Sequence, residues 1–132
     1  GVDPSILSLV AGGEILYVGP LDHYAMGWHS ADLYTWSDDP NVETEVSGAT
    51  VDTILRSDGI HEMFYMKNGF LGEFESISSQ DGFNWNIGPH DLYVEEGAHN
   101  PTADYDTEGQ LWFYYNRLNE ECMANIAMHS TQ

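Results

Sequence analysis

Ser79-Gln80-Asp81-Gly82-Phe83-Asn84-Trp85 decides how the chain is read. Asp-Gly between apolar runs is a strong hairpin signal, because glycine takes a positive φ without steric cost. The corner has an echo. Ser30-Ala31-Asp32-Leu33-Tyr34-Thr35-Trp36 lies 49 residues upstream, with Ser, Asp and Trp at the same spacing. A corner that returns at a fixed distance marks a repeat, so the chain is read as repeats before anything else.

Working outward from the two corners gives three rows, residues 1–48, 49–97 and 98–132, within one domain of 132 residues. The rows turn at Gly12-Gly13, Asp58-Gly59 and Glu108-Gly109. Their expected correspondences are Asp3, Asp52 and Asn100; Tyr17, Tyr65 and Tyr114; and Ser30, Ser79 and Ser130, at a period of 48 to 51. The segments between turns are short and rich in Ile, Val, Tyr, Phe and Trp. No dozen residues carry a helical period uninterrupted by Gly or Pro. Four antiparallel strands per period of about 40–50 residues is the pattern of a β-propeller blade. The expectation is an all-β partial propeller of about three four-stranded blades, the last one incomplete. A sandwich needs no recurring corner, and a solenoid of this period normally carries helices.

Composition narrows the function classes. Twenty-two acids face three bases, Arg56, Lys67 and Arg117, for a net charge of −19. Such a surface repels phosphate and anionic lipid, which argues against nucleic acid or membrane as a partner. It fits solubility, secretion or a saline setting. No run of 18 apolar residues and no basic-plus-apolar leader are seen. Cys122 is the single cysteine, so neither an internal disulfide nor a thiolate zinc site is expected. No cofactor is required by any motif. Ca²⁺ or another cation is the ion such carboxylates would take, although no Asp-x-Asp-x-Asp-Gly loop is present.

Asp3-Pro4-Ser5-Ile6, His61-Glu62-Met63-Phe64-Tyr65, the Ser79–Trp85 corner, and His99-Asn100-Pro101 with Glu108-Gly109-Gln110-Leu111-Trp112-Phe113-Tyr114 resemble pieces of the five-bladed propeller glycosidases. That group spans arabinanases, xylosidases, invertases and levansucrases, with related mannoside phosphorylases. The resemblance implies a base at the inner-strand Asp of one blade, matched by Asp3. It implies an Asp on the next blade that orients the acid, matched by Asp52. The acid itself, a Glu on a third blade, is not matched, because His99-Asn100 stands there. His99 resembles the central histidine that the group uses near a metal.

Propeller geometry sends the entries of the inner strands and the loops between second and third strands to one end of the molecule. His23, Tyr24, Lys67, His99, Asn100 and Arg117 are therefore the expected ligand-binding residues, with Asp3 and Asp52 the candidate catalytic pair. Asp at a strand entry has a plainer use, which is to accept backbone N–H bonds. Trp36 and Trp85 are expected in blade-to-blade packing, and Tyr17, Tyr65 and Tyr114 in the core.

Fewer than a full ring of blades leaves apolar sheet faces open. Either the chain is a piece of a longer protein or it assembles; closure by a homodimer is the expected answer, and two chains of three blades would make six. Three functions follow as expectations: a carbohydrate-binding or vestigial glycosidase-like half-propeller acting as a homo-oligomer; a glycoside hydrolase or phosphorylase completed across subunits; or a structural interaction module.

Overall fold

The computed structural model describes residues 4–18, 24–40, 42–47, 49–67, 72–118 and 124–131. Among the described residues, eleven antiparallel strands form three sheets. Sheet 1 holds β1 (Pro4–Ser8), β2 (Glu14–Val18), β3 (Tyr24–Ser30) and β4 (Val42–Ser47), in that order. Sheet 2 holds β5 (Ala49–Leu55), β6 (His61–Met66), β7 (Glu73–Ser79) and β8 (Asn86–Tyr93). Sheet 3 holds β9 (Ala98–Tyr105), β10 (Leu111–Leu118) and β11 (Ala124–Thr131).

The first strand of each sheet is the inner one: β1 packs on β5, and β5 on β9. Each sheet therefore has a rear face toward the preceding sheet and a forward face toward the next. Alternation along the strands divides the apolar residues between the two faces. The forward face of sheet 1 (Leu7, Ile15, Tyr17) meets the rear face of sheet 2 (Val51, Met63, Tyr65, Ile77) in one core. The forward face of sheet 2 (Phe64, Met66, Phe74) meets the rear face of sheet 3 (Ala103, Leu111, Phe113, Tyr115) in a second. Sandwiched between both, β6 is buried along its whole length.

The corners are larger than a two-residue hairpin. In the second, the Ser79 hydroxyl accepts from the N–H of Gly82 at 2.8 Å, and Asp81 Oδ1 accepts from Phe83 and Asn84, each at 2.8 Å. The first is built bond for bond alike: Ser30 serves Leu33 at 2.9 Å, and Asp32 serves Tyr34 and Thr35 at 2.9 and 2.7 Å. These bonds stabilise the charged form of Asp81, and its pKa falls well below the usual carboxylate range, the Asn84 N–H being the largest cause. Gly82 has φ +81°, and the matching residue in the first corner, Leu33, is held at φ 67°.

Register corrects the expected correspondences. The hairpin bonds Leu9 N–H to Gly13 O, Arg56 N–H to Ile60 O and Asp106 N–H to Gln110 O align the three sheets. Ser5, Asp52 and Thr102 then occupy one position, opposite Tyr17, Phe64 and Tyr114. Asp52 thus does not align with Asn100, and Thr50 takes that place. Phe64, not Tyr65, is the counterpart of Tyr17 and Tyr114. Thr131, not Ser130, is the counterpart of Ser30 and Ser79, since it lies opposite the first residue of β10 as they do in their sheets. The physical cause is the connection between second and third strands, which lengthens from sheet to sheet: Tyr17 pairs with Gly27, Phe64 with Ser76 and Tyr114 with Met128, so no single period aligns every strand. The ladder shifts between Ala49 and Val51 in β5, and β9 shifts where Asn100, at φ 50°, bulges.

Tyr114 is also not in a core. It stands 39% exposed on the forward face of sheet 3.

Gly72 shows how tightly the outer loops close. At φ +76° a Cβ there would overlap the backbone of Glu95, which cannot move aside. Gly72→Ala is expected to cost about 2 kcal/mol or more, from left-handed strain plus the overlap. A denaturant melt checks it, and wild-type stability would contradict the placement.

Candidate functional site

The expected ligand end is the end where the inner strands begin. Ala49 lies opposite Met66, the residue before Lys67; His99 lies opposite Asn116; and Ala98 lies opposite Arg117. Lys67, His99, Asn100 and the backbone of Arg117 therefore share one end of the sheets. The third base, Arg56, sits in a hairpin turn at the other end. Asp3 and His23 lie outside the described residues, and Tyr24 is placed only as the first residue of β3.

Lys67 is already paired. Its Nζ lies 2.5 Å from Glu75 Oε1, and Tyr65 donates its hydroxyl to the other oxygen at 2.5 Å. Each partner favours the other's charged form: the Lys67 pKa is raised by Glu75, and that of Glu75 is lowered by Lys67. His99 turns Nδ1 to the carbonyl of Gly97 at 2.9 Å. Among the described residues no three His, Cys, Asp or Glu side chains are grouped to hold a metal.

Asp52 is placed elsewhere, in the seam between sheets 2 and 3. Its Oδ2 accepts from the Ala103 N–H at 2.8 Å, and Oδ1 from the Ser5 hydroxyl at 3.4 Å. Ser5, at the matching register, performs the same task one seam earlier: its Oγ accepts from the Thr53 N–H at 2.9 Å. Thr53 and Ala103 are themselves equivalent. One position on β1 and on β5 thus reaches forward and takes an amide of the next inner strand. Burial is the main influence on Asp52 and raises its pKa, against the lowering effect of the Ala103 bond.

Sequence reasoning missed Glu62. This side chain is fully buried in the seam of sheets 2 and 3. Tyr105 donates to its Oε2 at 2.7 Å, and His90 Nε2 lies 3.4 Å from Oε1 and 2.8 Å from the Tyr105 hydroxyl. Arg56 stands 4.0 Å away, over the Tyr105 ring. Burial lowers the His90 pKa, with Glu62 opposing. A lone Glu in the apolar run His61–Met66 was the signal that could have found it.

Three cavities are formed by described residues, two of them away from the expected ligand end. One of about 320 Å³ lies on the open forward face of sheet 3, between Trp112 and Tyr114 with Asp104 and Asp106 at its rim. Another, about 260 Å³, lies at the hairpin end beside Arg56 and Tyr105. The third, about 240 Å³, lies along β7 and β8 beside Tyr65 and Glu75.

No protein-family model matches the sequence, and no curated protein does. Solved structures do match. A thermostable family-43 glycoside hydrolase is similar over 100% of this chain and 48% of its own, at 17% identity and a TM-score of 0.68. The xylan β-1,4-xylosidase of Bacillus halodurans C-125 is similar over 98% of this chain and 29% of its own, at 17% identity and a TM-score of 0.67. The chain is a partial β-propeller of the glycosidase fold. An arabinanase of Bacillus subtilis extends the likeness, over 98% of the partial propeller and 57% of the arabinanase, at 12% identity and a TM-score of 0.61. The partial propeller thus spans about half or less of the length of the first two structures. At these identities the likeness is one of fold.

Proposed function

We propose that the partial propeller binds carbohydrate without hydrolysing it, and acts as a homo-oligomer. The observation that carries this reading is the seam role of Asp52. Glycoside cleavage needs two carboxyls flanking the scissile bond. Asp52 instead spends both oxygens on Ser5 and Ala103, the task a serine performs one sheet earlier. The end where the inner strands begin carries groups suited to sugar hydroxyls, namely Lys67 with Glu75, His99 and Asn100. The glycosidase fold of the solved neighbours, which include a xylosidase and an arabinanase, supports xylan and arabinan fragments as first ligands.

The test pairs calorimetric titration of xylo- and arabino-oligosaccharides with a reducing-sugar assay. Binding without turnover, weakened in His99→Ala, is expected. Sugar release that vanishes in Asp52→Asn would overturn the reading in favour of a hydrolase.

Asp52→Asn also has an expected stability. A carboxyl whose folded pKa is raised above the unfolded value of about 3.9 stabilises below that pH, and the benefit is lost as pH rises through the folded pKa. At pH 7 the ionised group is therefore a net cost. Asparagine keeps an acceptor for the Ala103 N–H. Asp52→Asn should melt higher than wild type at pH 7, with the gap closing toward about pH 4. A variant that melts far lower at pH 7 would show that the charge itself holds the seam.

A further inference from the structure

Two faces of the partial propeller have no neighbouring sheet among the described residues: the rear of sheet 1 and the forward face of sheet 3. They carry the two halves of a contact already present inside the molecule. Where sheet 1 meets sheet 2, the corner of sheet 2 seats on Leu7, Leu9, Ile15 and Tyr17. Tyr17 donates its hydroxyl to the Gly82 carbonyl, and Trp85 Nε1 donates to that hydroxyl at 3.0 Å. The two rings meet edge to face, with centroids 5.7 Å apart. A Cβ on Gly82 would meet the Leu9 side chain, so a larger residue in this seat needs Leu9 to move aside.

In the register above, the counterparts of Leu7, Leu9, Ile15 and Tyr17 on sheet 3 are Asp104, Asp106, Trp112 and Tyr114. These line the cavity of about 320 Å³ on the open face. The cavity is thus an empty corner seat, widened because two leucines are replaced by shorter aspartates. Asp106 is drawn back by the Trp112 Nε1–H at 2.8 Å. The matching corner is that of sheet 1. It holds Leu33 where the other has Gly82, and Trp36 where the other has Trp85. Leu33 is 49% exposed. The inner strands agree as well. Thr102, exposed on β9, stands where Ser5 and Asp52 reach forward, and Ile6 holds the register of the amide donors Thr53 and Ala103. Ile6, Leu16 and Trp28 form a cross-strand apolar row around it, with Ile6 54% exposed.

We propose that the forward face of sheet 3 docks the rear face and corner of sheet 1 of a second copy of this chain. Leu33 enters the Trp112–Tyr114 seat, the Tyr114 hydroxyl takes the role of Tyr17, and Thr102 accepts from the Ile6 N–H. Because each copy offers one seat and one corner, two copies can close reciprocally. The inference rests on the self-association proposed above and not on sugar binding.

Sedimentation velocity on the full chain tests it, in about 0.15 M salt so that the mutual repulsion of two chains of −19 is screened beyond about 8 Å. Wild type should sediment as two chains of 14.8 kDa each. Leu33→Glu, which sets a third acid beside Asp104 and Asp106, should weaken association at least tenfold without changing the circular dichroism spectrum. Asp104→Lys in the same chain should restore it. A monomer at every concentration overturns the proposal, including one whose seat is filled by an added oligosaccharide that quenches Trp112. An oligomer indifferent to Leu33→Glu overturns the docking surface while leaving self-association intact.

Discussion

Phe113→Ala should lower the unfolding free energy by about 3–5 kcal/mol, the range for emptying an aromatic site in a packed core. Phe113 has no solvent exposure. Its ring meets Phe74 edge to face at 4.8 Å between centroids and Phe64 at 5.8 Å. These three rings come from β10, β7 and β6, so the cavity would open at the joint of sheets 2 and 3. Domains of this size are typically stable by only about 5–15 kcal/mol. The variant should therefore unfold at much lower urea, with an unchanged slope if the seam still opens cooperatively. Phe113→Leu refills much of the volume and should cost less than half as much. A loss under about 1 kcal/mol in Phe113→Ala would mean that sheet 3 is not packed on sheet 2 as described.

Glu62→Ala should cost about 3 kcal/mol, for a different reason. It opens a buried cavity and strips the acceptor from the Tyr105 hydroxyl, a hydrogen bond to a charged group being worth about 1.5–3 kcal/mol. Glu62→Gln keeps the acceptor and removes the buried charge, and it should stay within about 1 kcal/mol of wild type. Tyr105→Phe isolates the bond: its cost in the wild-type chain should shrink clearly in the Glu62→Gln background. Equal costs in both would mean that the pair is not coupled.

The architecture was legible because it is written in turn residues. Ser30 and Asp32, like Ser79 and Asp81, build their corners from their own side chains, so no distant partner needs to be known. The face assignment of the inner strands was not legible. The connection between second and third strands lengthens from sheet to sheet, so a single repeat period cannot align the inner strands and the corners at once. Matching Asp3, Asp52 and Asn100 by residue type was persuasive, but it put Asp52 one pleat away from its place. Aromatic identity misled in the same way at Tyr65, because Phe64 holds the position of Tyr17 and Tyr114. At the candidate site, the shared end of Lys67, His99 and Arg117 could be read from strand order alone. The seam roles of Asp52 and Glu62 could not, since both depend on which backbone amide or hydroxyl a neighbouring sheet brings near.

The extra residues at Thr50 and Asn100 have a consequence for how this protein can change. Below each bulge, alternation is fixed by the amide hand-off from one inner strand to the next. Above it, the count starts afresh. The rim at residues 49–50 and 99–100 is thereby set apart from the seams, so recognition can drift there while folding is conserved beneath. A library confined to those rim positions should return mostly folded proteins, and the same diversity spread over residues 51–54 and 102–105 should not.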